Sequence, residues 1–178
     1  MEDYQKCTYL YFNFFLKFTV QIIITKKNNE QHKGIQMSET LTASATLINQ
    51  KVKFEGKSGD NPPVILDYTP PYGDNEGYTS LQLFLVSLCS CSGTALIFLL
   101  RKMQKTINGF SVNASGERRE EHPTYFKSIN LEFTINSPDA SDEDVQKVIA
   151  LSEEKLCPVW GMIKNTVPVK TAFIIITQ

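Results

Sequence analysis

The side chains of this 178-residue chain that could form covalent bonds are four cysteines: Cys7, Cys89, Cys91 and Cys157. They are too few and too scattered for the framework of a disulfide-stabilised secreted domain. The two histidines, His32 and His122, lack metal-ligand spacing to each other or to a cysteine pair, so we predict no metal site. The chemistry that remains is that of free thiols, whose reactive form is the thiolate.

Cys157 stands directly before Pro158, and proline suits the first position of a helix. We therefore predict that Cys157 caps a short helix from Val159 to Lys164. A thiolate at that end would be stabilised by the positive end of the helix dipole, which lowers a cysteine pKa. The alternative is a small apolar residue of the core, the commonest role of a free cysteine, and position alone favours this alternative.

Cys89 and Cys91 lie in the middle of a Leu-rich segment, Leu81 to Met103, and no charged residue occurs between Glu76 and Arg101. About 20 apolar residues are enough to span a bilayer. A helix buried on every side in a soluble protein has the same composition. A thiol in the middle of a buried helix is usually inert. Cys89, two positions from Cys91, projects from a different side of the helix.

The elements that must position these thiols favour the soluble interpretation. Thr79 and Gln82 form a capping-box pattern, which predicts that the helix begins near Ser80. Three short strands precede it, at 41–47, 52–54 and 64–68, and short connections predict an antiparallel meander. Strands at 110–114, 129–135 and 169–177 and a second helix beginning at Ser141 follow it. Amphipathic strands with polar turns need a core on one side, so a membrane span is the less favoured interpretation.

Residues 1–36 differ from the rest of the chain because aromatic residues crowd their first half. They start with acidic residues, carry Lys17 in the apolar run and lack a small-residue cleavage site, which disfavours a signal peptide. One interpretation is a hydrophobic strand or helix of the domain. The other is that the natural protein starts at Met37, because codons for Lys33-Gly34 can encode a purine-rich ribosome-binding sequence. In that case 1–36 is an N-terminal extension outside the natural protein, and 37–178 is the domain.

The charge balance, 18 Lys+Arg against 19 Asp+Glu, gives no global reason to expect nucleic-acid binding. Three segments together carry a more specific signal: LCSCSGTALIFLLRKM, GFSVNASGERREEHP and LSEEKLCPVWGMI. In this order and spacing they resemble the OsmC/Ohr family of thiol-dependent peroxidases, from about Met37 to the C-terminus. The resemblance implies an α+β fold in which antiparallel sheets wrap a long, central, buried helix within an intertwined homodimer.

The resemblance also implies the chemistry. Cys91 corresponds to the peroxidatic cysteine and Cys157 to the resolving cysteine, while Cys89 is expected to be structural. Cys91 would reduce an organic hydroperoxide or hydrogen peroxide and become a sulfenic acid, which Cys157 would convert to a disulfide. A dithiol reductant would restore both thiols. The implied protein is bacterial and cytoplasmic, acts in the oxidative stress response and needs no cofactor, nucleic acid or membrane.

The chain departs from the family pattern at two activating residues. Where the family has an arginine in its early strands, this chain has Lys51 and Lys53, and Lys53 is the candidate for stabilising the thiolate. Where the family has a glutamate, ten residues before the peroxidatic cysteine, this chain has Leu81. These departures leave a second hypothesis open, a non-catalytic dimeric member that binds a small apolar ligand or senses redox state.

Overall fold

The computed structural model describes residues 40–177. The predictions about residues 1–36, including Cys7 and His32, lie outside the described residues. From residue 43 onward the described chain forms one compact unit. Its elements follow the order β1 (Ser44–Leu47), β2 (Phe54–Lys57), β3 (Val64–Leu66), α1 (Ser80–Lys102), β4 (Gly109–Arg118), β5 (Phe126–Asn136), α2 (Asp142–Leu151), a π-helical turn (Ser152–Leu156), α3 (Pro158–Ile163) and β6 (Val169–Ile176).

The first sheet is the antiparallel meander β1–β2–β3 that the sequence predicts. Strands β1 and β3 are shorter than the predicted runs, because β1 begins at Ser44 and β3 ends at Leu66, and β2 lies at Phe54–Lys57 and not at the predicted 52–54. The alternating pattern of β1 predicted a half-buried strand, but all four of its residues are exposed in the single chain. The side chains of β1 therefore lack a covering layer from the described part of their own chain, whereas those of β2 and β3 are mostly half-buried.

The second sheet has the order β4–β5–β6. Strands β4 and β5 form a long antiparallel pair, in which Val112 lies opposite Phe133. Strand β6 pairs with β5 in parallel, with Ile129 beside Val169. A parallel pair needs a crossover connection, and here α2, the π-helical turn and α3 provide it. The α+β fold class is confirmed, whereas the expectation of purely antiparallel sheets is wrong for this one pair.

Helix α1 begins where its capping box predicts. The Thr79 side chain accepts a hydrogen bond from the Gln82 backbone N–H, and the Gln82 side chain accepts one from the Thr79 N–H. The helix ends at Lys102, where Gln104 takes a left-handed conformation (φ 63°) and the Lys105 N–H donates to the Leu100 carbonyl. This is a Schellman ending with glutamine in the usual glycine position, so the helix does not continue to the predicted stop at Asn108.

The hydrophobic core lies between the second sheet and the helices. It consists of fully or nearly fully buried residues from α1, β5, α2 and α3, among them Leu96, Leu131, Phe133, Val148 and Trp160. Gly93 lets α1 lie close to β4, because a Cβ atom there would come within 3.0 Å of the Phe110 ring and 3.2 Å of a Val112 methyl group. The core cluster includes no residue of the first sheet.

Helix α1 is buried on one side within the chain and exposed on the other. The exposed side carries Val86, Ser87, Ser90, Thr94 and Phe98. By length and composition alone the helix could cross a membrane, with a mean hydropathy of 2.2, and core helices of soluble proteins meet the same criterion. We expected α1 to be buried on all sides. Its own chain buries one side, and burial of the other side by a second subunit stays a prediction.

Candidate thiol site between helices α1 and α3

Helix α1 carries Cys91 near its middle, at the edge between its buried and exposed sides. The next two residues, Ser92 and Gly93, are fully buried, and the Ser92 hydroxyl donates to the Leu88 carbonyl at 2.7 Å. Cys91 is half-buried, so its thiol is neither sealed in the core nor fully in solvent. Because Gly93 lets α1 lie close to β4, it also helps to set the position of Cys91, two residues away on the same helix.

Cys157 is placed by a break between two helical segments. The π-helical turn that follows α2 ends when the Cys157 N–H donates to the Ser152 carbonyl at 2.9 Å. Pro158 disfavours a helical conformation for the residue before it, and Cys157 is indeed extended (φ −91°, ψ 101°). Pro158 then opens α3, and the Cys157 sulfur accepts a hydrogen bond from the Trp160 N–H at 3.3 Å. The prediction that Cys157 caps a short helix is confirmed.

The fold brings the two thiols together. The Sγ atoms of Cys91 and Cys157 lie 2.7 Å apart, with Cys157 as the donor. Both are free cysteines, and a disulfide bond would need a separation of about 2.05 Å. A movement of a fraction of an ångström is enough to form that bond. These cysteines are 66 residues apart in the chain, so their contact depends on the tertiary fold.

The environment keeps the proton on Cys157. Burial raises the pKa of this thiol to about 12, and the hydrogen bond with Cys91 acts in the same direction. The backbone N–H groups at the start of α3 oppose the shift, but the helix is short and the residue is only 3% exposed. The predicted lowering of the Cys157 pKa is therefore wrong, and the alternative, a buried core residue, is confirmed. A protonated Cys157 can donate to a Cys91 thiolate.

An apolar groove opens next to Cys91. It has a volume of about 430 Å³ and is lined by Cys91 and by Ser90, Thr94, Ala95, Phe98, Leu156 and Pro158. Its lining includes no charged side chain, and Cys157 is not part of it. A small molecule with an apolar body could therefore approach Cys91 from this side. A larger apolar concavity of about 530 Å³ lies on the first sheet, around Phe54, Leu66 and Tyr78, but it includes neither thiol.

Cys89 does not join the pair. It is half-buried and packs against the hydrophobic core, and burial raises the pKa of its thiol. A thiol that is poorly ionised is a poor nucleophile, which agrees with the structural role expected for Cys89.

Lys53 lies directly before strand β2 of the first sheet. Its ammonium group forms an ion pair with Glu76 and lies 3.9 Å from Asp74, while Lys51 pairs with Asp74. The hydrogen bond from Lys53 to Glu76 raises the pKa of Lys53. No contact found among residues 40–177 joins Lys53 to Cys91 or Cys157, so the chain does not bring this predicted cation to the thiols. Its role at the thiolate stays a prediction.

Sequence analysis missed the π-helical turn and the groove. The turn inserts one extra residue per hydrogen-bonded ring before Cys157, and no sequence pattern distinguishes it from an ordinary helix end. The groove residues Phe98 and Leu156 are apolar residues of helical segments, for which core packing is the default expectation. The one available signal was the Cys-Pro pair, which marks the end of one helix and the start of another.

Comparisons with known proteins show the family and the fold of this chain. The family model described as "OsmC-like protein" matches residues 73–172, which include both cysteines of the pair. Protein YhfA of Escherichia coli is 27% identical over 123 residues, which cover 69% of this chain and 81% of YhfA.

Two solved structures illustrate the likeness in fold. The OsmC-like protein from Mycoplasma pneumoniae superimposes with a TM-score of 0.68 at 22% identity and covers 79% of this chain and 99% of its own. The organic hydroperoxide resistance protein OsmC from Legionella pneumophila gives a TM-score of 0.60 at 16% identity, covering 78% of this chain and 98% of its own. At these identities the likeness establishes the fold.

Proposed function

This chain belongs to the OsmC-like protein family, a family associated with peroxide resistance, and we propose that it is a two-cysteine peroxidase. Its substrates in this proposal are organic hydroperoxides or hydrogen peroxide. The observation that carries the proposal is the 2.7 Å contact between the Cys91 and Cys157 sulfur atoms beside an apolar groove. Cys91 is the peroxidatic residue and Cys157 the resolving residue.

The first step takes place on Cys91, because the groove reaches this thiol and not Cys157. The Cys91 thiolate attacks one peroxide oxygen, an S–O bond forms, and the O–O bond breaks. The departing alkoxide or hydroxide takes up a proton and leaves as an alcohol or water. Cys91 is then a sulfenic acid. The protonated Cys157 lies within hydrogen-bond distance of the attacking sulfur and can donate to it.

The second step joins the two sulfur atoms. Cys157 loses its proton as its sulfur attacks the Cys91 sulfur, the S–O bond breaks, and the hydroxide leaves as water with that proton. The product is a Cys91–Cys157 disulfide. The Trp160 N–H, which already bonds the Cys157 sulfur at 3.3 Å, stabilises negative charge that develops there. An external dithiol reduces the disulfide by exchange.

The quaternary and cellular parts of the proposal rest on the family. We propose a cytoplasmic homodimer, in which a second subunit covers the open face of the first sheet and the part of α1 around Val86, and leaves the groove at Cys91 open. Exposed apolar side chains on both surfaces, such as Val86 on α1 and Tyr72 beside the first sheet, support this assignment. Lys53 would then act on a thiolate only if assembly brought it there.

The test is peroxide consumption with cumene hydroperoxide and a dithiol. The wild-type protein is expected to turn over. Cys91→Ser is expected to lose all turnover, because it lacks the attacking sulfur. Cys157→Ser is expected to consume about one equivalent of peroxide and then turn over slowly or not at all, because its sulfenic acid has no internal partner. Equal rates for wild type and Cys91→Ser would refute the proposal.

Cys89→Ser is the matched control, because it removes a thiol of the same helix that lies outside the pair. It should turn over at the wild-type rate. A loss in Cys89→Ser equal to that in Cys91→Ser would mean that general damage to α1, and not loss of the attacking thiol, explains the defect.

A second candidate function is a non-catalytic member of the family that binds an apolar ligand or senses redox state. The observation that favours it is the charge arrangement, since Lys53 is engaged by Glu76 and the groove lining lacks a charged side chain. This candidate predicts slow, stoichiometric oxidation of Cys91 and a rise in melting temperature with an apolar ligand. Rapid turnover with cumene hydroperoxide would exclude it.

A further inference from the structure

The two sulfur atoms of the pair differ in access. Cys91 lines the apolar groove, whereas Cys157 is 3% exposed and belongs to the hydrophobic core together with Trp160. Forming a disulfide from the present separation needs a shift of about 0.7 Å, the difference between 2.7 Å and the bond length of about 2.05 Å. Oxidation on this scale leaves Cys157 buried and leaves the groove open at Cys91.

We propose that the external reductant attacks the disulfide at the Cys91 sulfur, so that the mixed disulfide forms on Cys91 and Cys157 is released. This inference rests on the proposed disulfide cycle and assigns the step that the cycle leaves open. An attacking thiolate must reach its target sulfur roughly in line with the S–S bond. At Cys91 the groove provides space for an incoming thiolate, while Cys157 is surrounded by packed residues.

The step balances as an ordinary thiol–disulfide exchange. The reductant thiolate forms an S–S bond with Cys91, the Cys91–Cys157 bond breaks, and its electron pair passes to the Cys157 sulfur. There the Trp160 N–H donates to the departing thiolate, which then takes up a proton from solvent. The second thiol of the reductant attacks the first reductant sulfur and releases Cys91 as a thiolate. The reductant leaves as a disulfide, and the protonated Cys157 again donates to Cys91.

Thiol acidity alone would give the opposite result. Burial raises the pKa of Cys157, and the thiol of higher pKa is the poorer leaving group. Attack on Cys157 with release of Cys91 would therefore be preferred if both sulfur atoms were equally accessible. The structure makes them unequal, and access to the sulfur is a precondition for exchange. A mixed disulfide on Cys91 would therefore show that accessibility decides which sulfur is attacked. A mixed disulfide on Cys157 would show that the pKa of the leaving thiol decides.

The experiment localises a monothiol adduct on the oxidised protein. The disulfide is prepared in Cys89→Ser, which removes a thiol that could exchange, by one equivalent of cumene hydroperoxide and, separately, by diamide. A short pulse of 2-mercaptoethanesulfonate is quenched in acid, free thiols are alkylated, and peptides are analysed by mass spectrometry. We expect the adduct on Cys91 and the alkyl group on Cys157, in at least about tenfold excess over the reverse pattern.

An early adduct on Cys157, or equal adducts on both cysteines, would overturn the inference. Diamide keeps this outcome distinct from failure of the proposed function. If hydroperoxide does not form the disulfide but diamide does, the peroxidase proposal fails while the direction of exchange is still measured. Unfolding in urea before the pulse is the internal control, because it removes the difference in burial. The preference for Cys91 should then disappear, and its persistence would also overturn the inference.

Discussion

The two sheets of this protein have the same number of strands but differ in what supports them. The second sheet shares one hydrophobic core with all three helices, and its central strand β5 contributes five buried side chains to it: Phe126, Ile129, Leu131, Phe133 and Ile135. The first sheet contributes nothing to that core, and β1 is exposed throughout. One half of the molecule is therefore stabilised by packing, and the other half by its strand pairing and local polar contacts.

Those polar contacts centre on Asp67, which is 2% exposed. Its carboxylate accepts hydrogen bonds from the backbone N–H groups of Tyr68, Asp74 and Glu76, at 2.8 to 3.1 Å. Burial opposes ionisation, but these donors lower the pKa of Asp67 below its usual value. Asp67 thus ties down the loop that connects the first sheet to α1.

The difference bears on the candidate site. Cys91 and Cys157 both lie in the packed half, where close packing holds the two sulfur atoms 2.7 Å apart. Lys53 lies in the other half, and its charge is used by Glu76 in the loop. A single chain therefore forms the complete thiol pair, while Lys53, the predicted cation, forms an ion pair with Glu76 away from the thiols.

The largest expected effect comes from truncating one leucine in each sheet. Leu131→Ala should lower the free energy of unfolding by about 2–5 kcal/mol, because the fully buried side chain leaves a cavity. Leu47→Ala should cost less than about 0.5 kcal/mol in a dilute monomer, since Leu47 is 51% exposed. Urea unfolding at several protein concentrations measures both.

Concentration tests whether the first sheet gains a covering layer from a second subunit. If it does, the cost of Leu47→Ala should grow with protein concentration, while that of Leu131→Ala should change little. Equal costs for both variants at every concentration would contradict the division of the molecule into a packed half and an open half.

Asp67→Asn should loosen the loop of the open half without disturbing the thiol pair. An amide group has one acceptor oxygen in place of two, and its NH₂ group would face backbone donors. Amide hydrogen exchange in residues 68–78 should therefore rise roughly tenfold, as expected when a buried charged hydrogen bond is lost. The rate of Cys91–Cys157 disulfide formation should stay at the wild-type value. Asp74→Asn, which removes an exposed ion pair, is the control with a smaller effect.

Sequence patterns predicted the packed half well because local and tertiary forces agree there. The alternation in β5 and the capping box at Thr79 appear as predicted, and α2 begins directly after Ser141 as predicted. The alternation in β1 predicted a buried side that the single chain does not have. The sequence of a strand does not determine which other element packs against it. The parallel pairing of β6 was not predicted either, because the composition of a strand does not show the direction of its neighbour.

The cysteine pair was identified through family resemblance and not through local chemistry. Local reasoning left two interpretations of Cys157, a lowered pKa from its helix end and the favoured one of a core residue, and the structure gives a raised pKa. Burial outweighs a helix of six residues, and burial depends on α1 and β5, which lie far away in the sequence. The groove beside Cys91 likewise requires α1 and Leu156 to meet, so no local pattern announces it.

Gly93→Ala tests how tightly the packed half controls the thiol distance. The new methyl group would lie 3.0 Å from the Phe110 ring, and relieving that contact should cost about 1–3 kcal/mol. Alanine recovers up to about 1 kcal/mol of helix propensity, so we expect a net loss of about 1 kcal/mol in urea unfolding. Disulfide formation after one equivalent of hydroperoxide should slow, because α1 must shift from β4 and carry Cys91 with it.

Gly161→Ala is the matched control for Gly93→Ala, because it lies in α3 and a Cβ atom there would meet nothing within 4 Å. It should be neutral or slightly stabilising. If both alanine variants behaved alike, the close approach of α1 to β4 would not limit the position of Cys91.

The smallest expected effect is an acid-dependent one at the start of α2, also in the packed half. The hydrogen bond from Lys105 and those from Ser141 lower the pKa of Asp144 to about 2. A carboxyl group whose pKa is lower in the folded state stabilises the fold above its unfolded pKa of about 3.9, and that contribution is lost as the pH falls toward 2. The wild-type melting temperature should therefore fall more between pH 5 and pH 2.5 than that of Asp144→Asn.

Asp142→Asn separates this contact from the general effect of charge at a helix start. Asp142 carries the same charge in the same first turn, but its carboxylate forms no ion pair among the residues that the structure describes. Its variant should keep most of the acid sensitivity of the wild type. If instead Asp142→Asn and Asp144→Asn lost acid sensitivity equally, the helix dipole and not the bond to Lys105 would account for it. The link between the end of α1 and the start of α2 would then be one of packing alone.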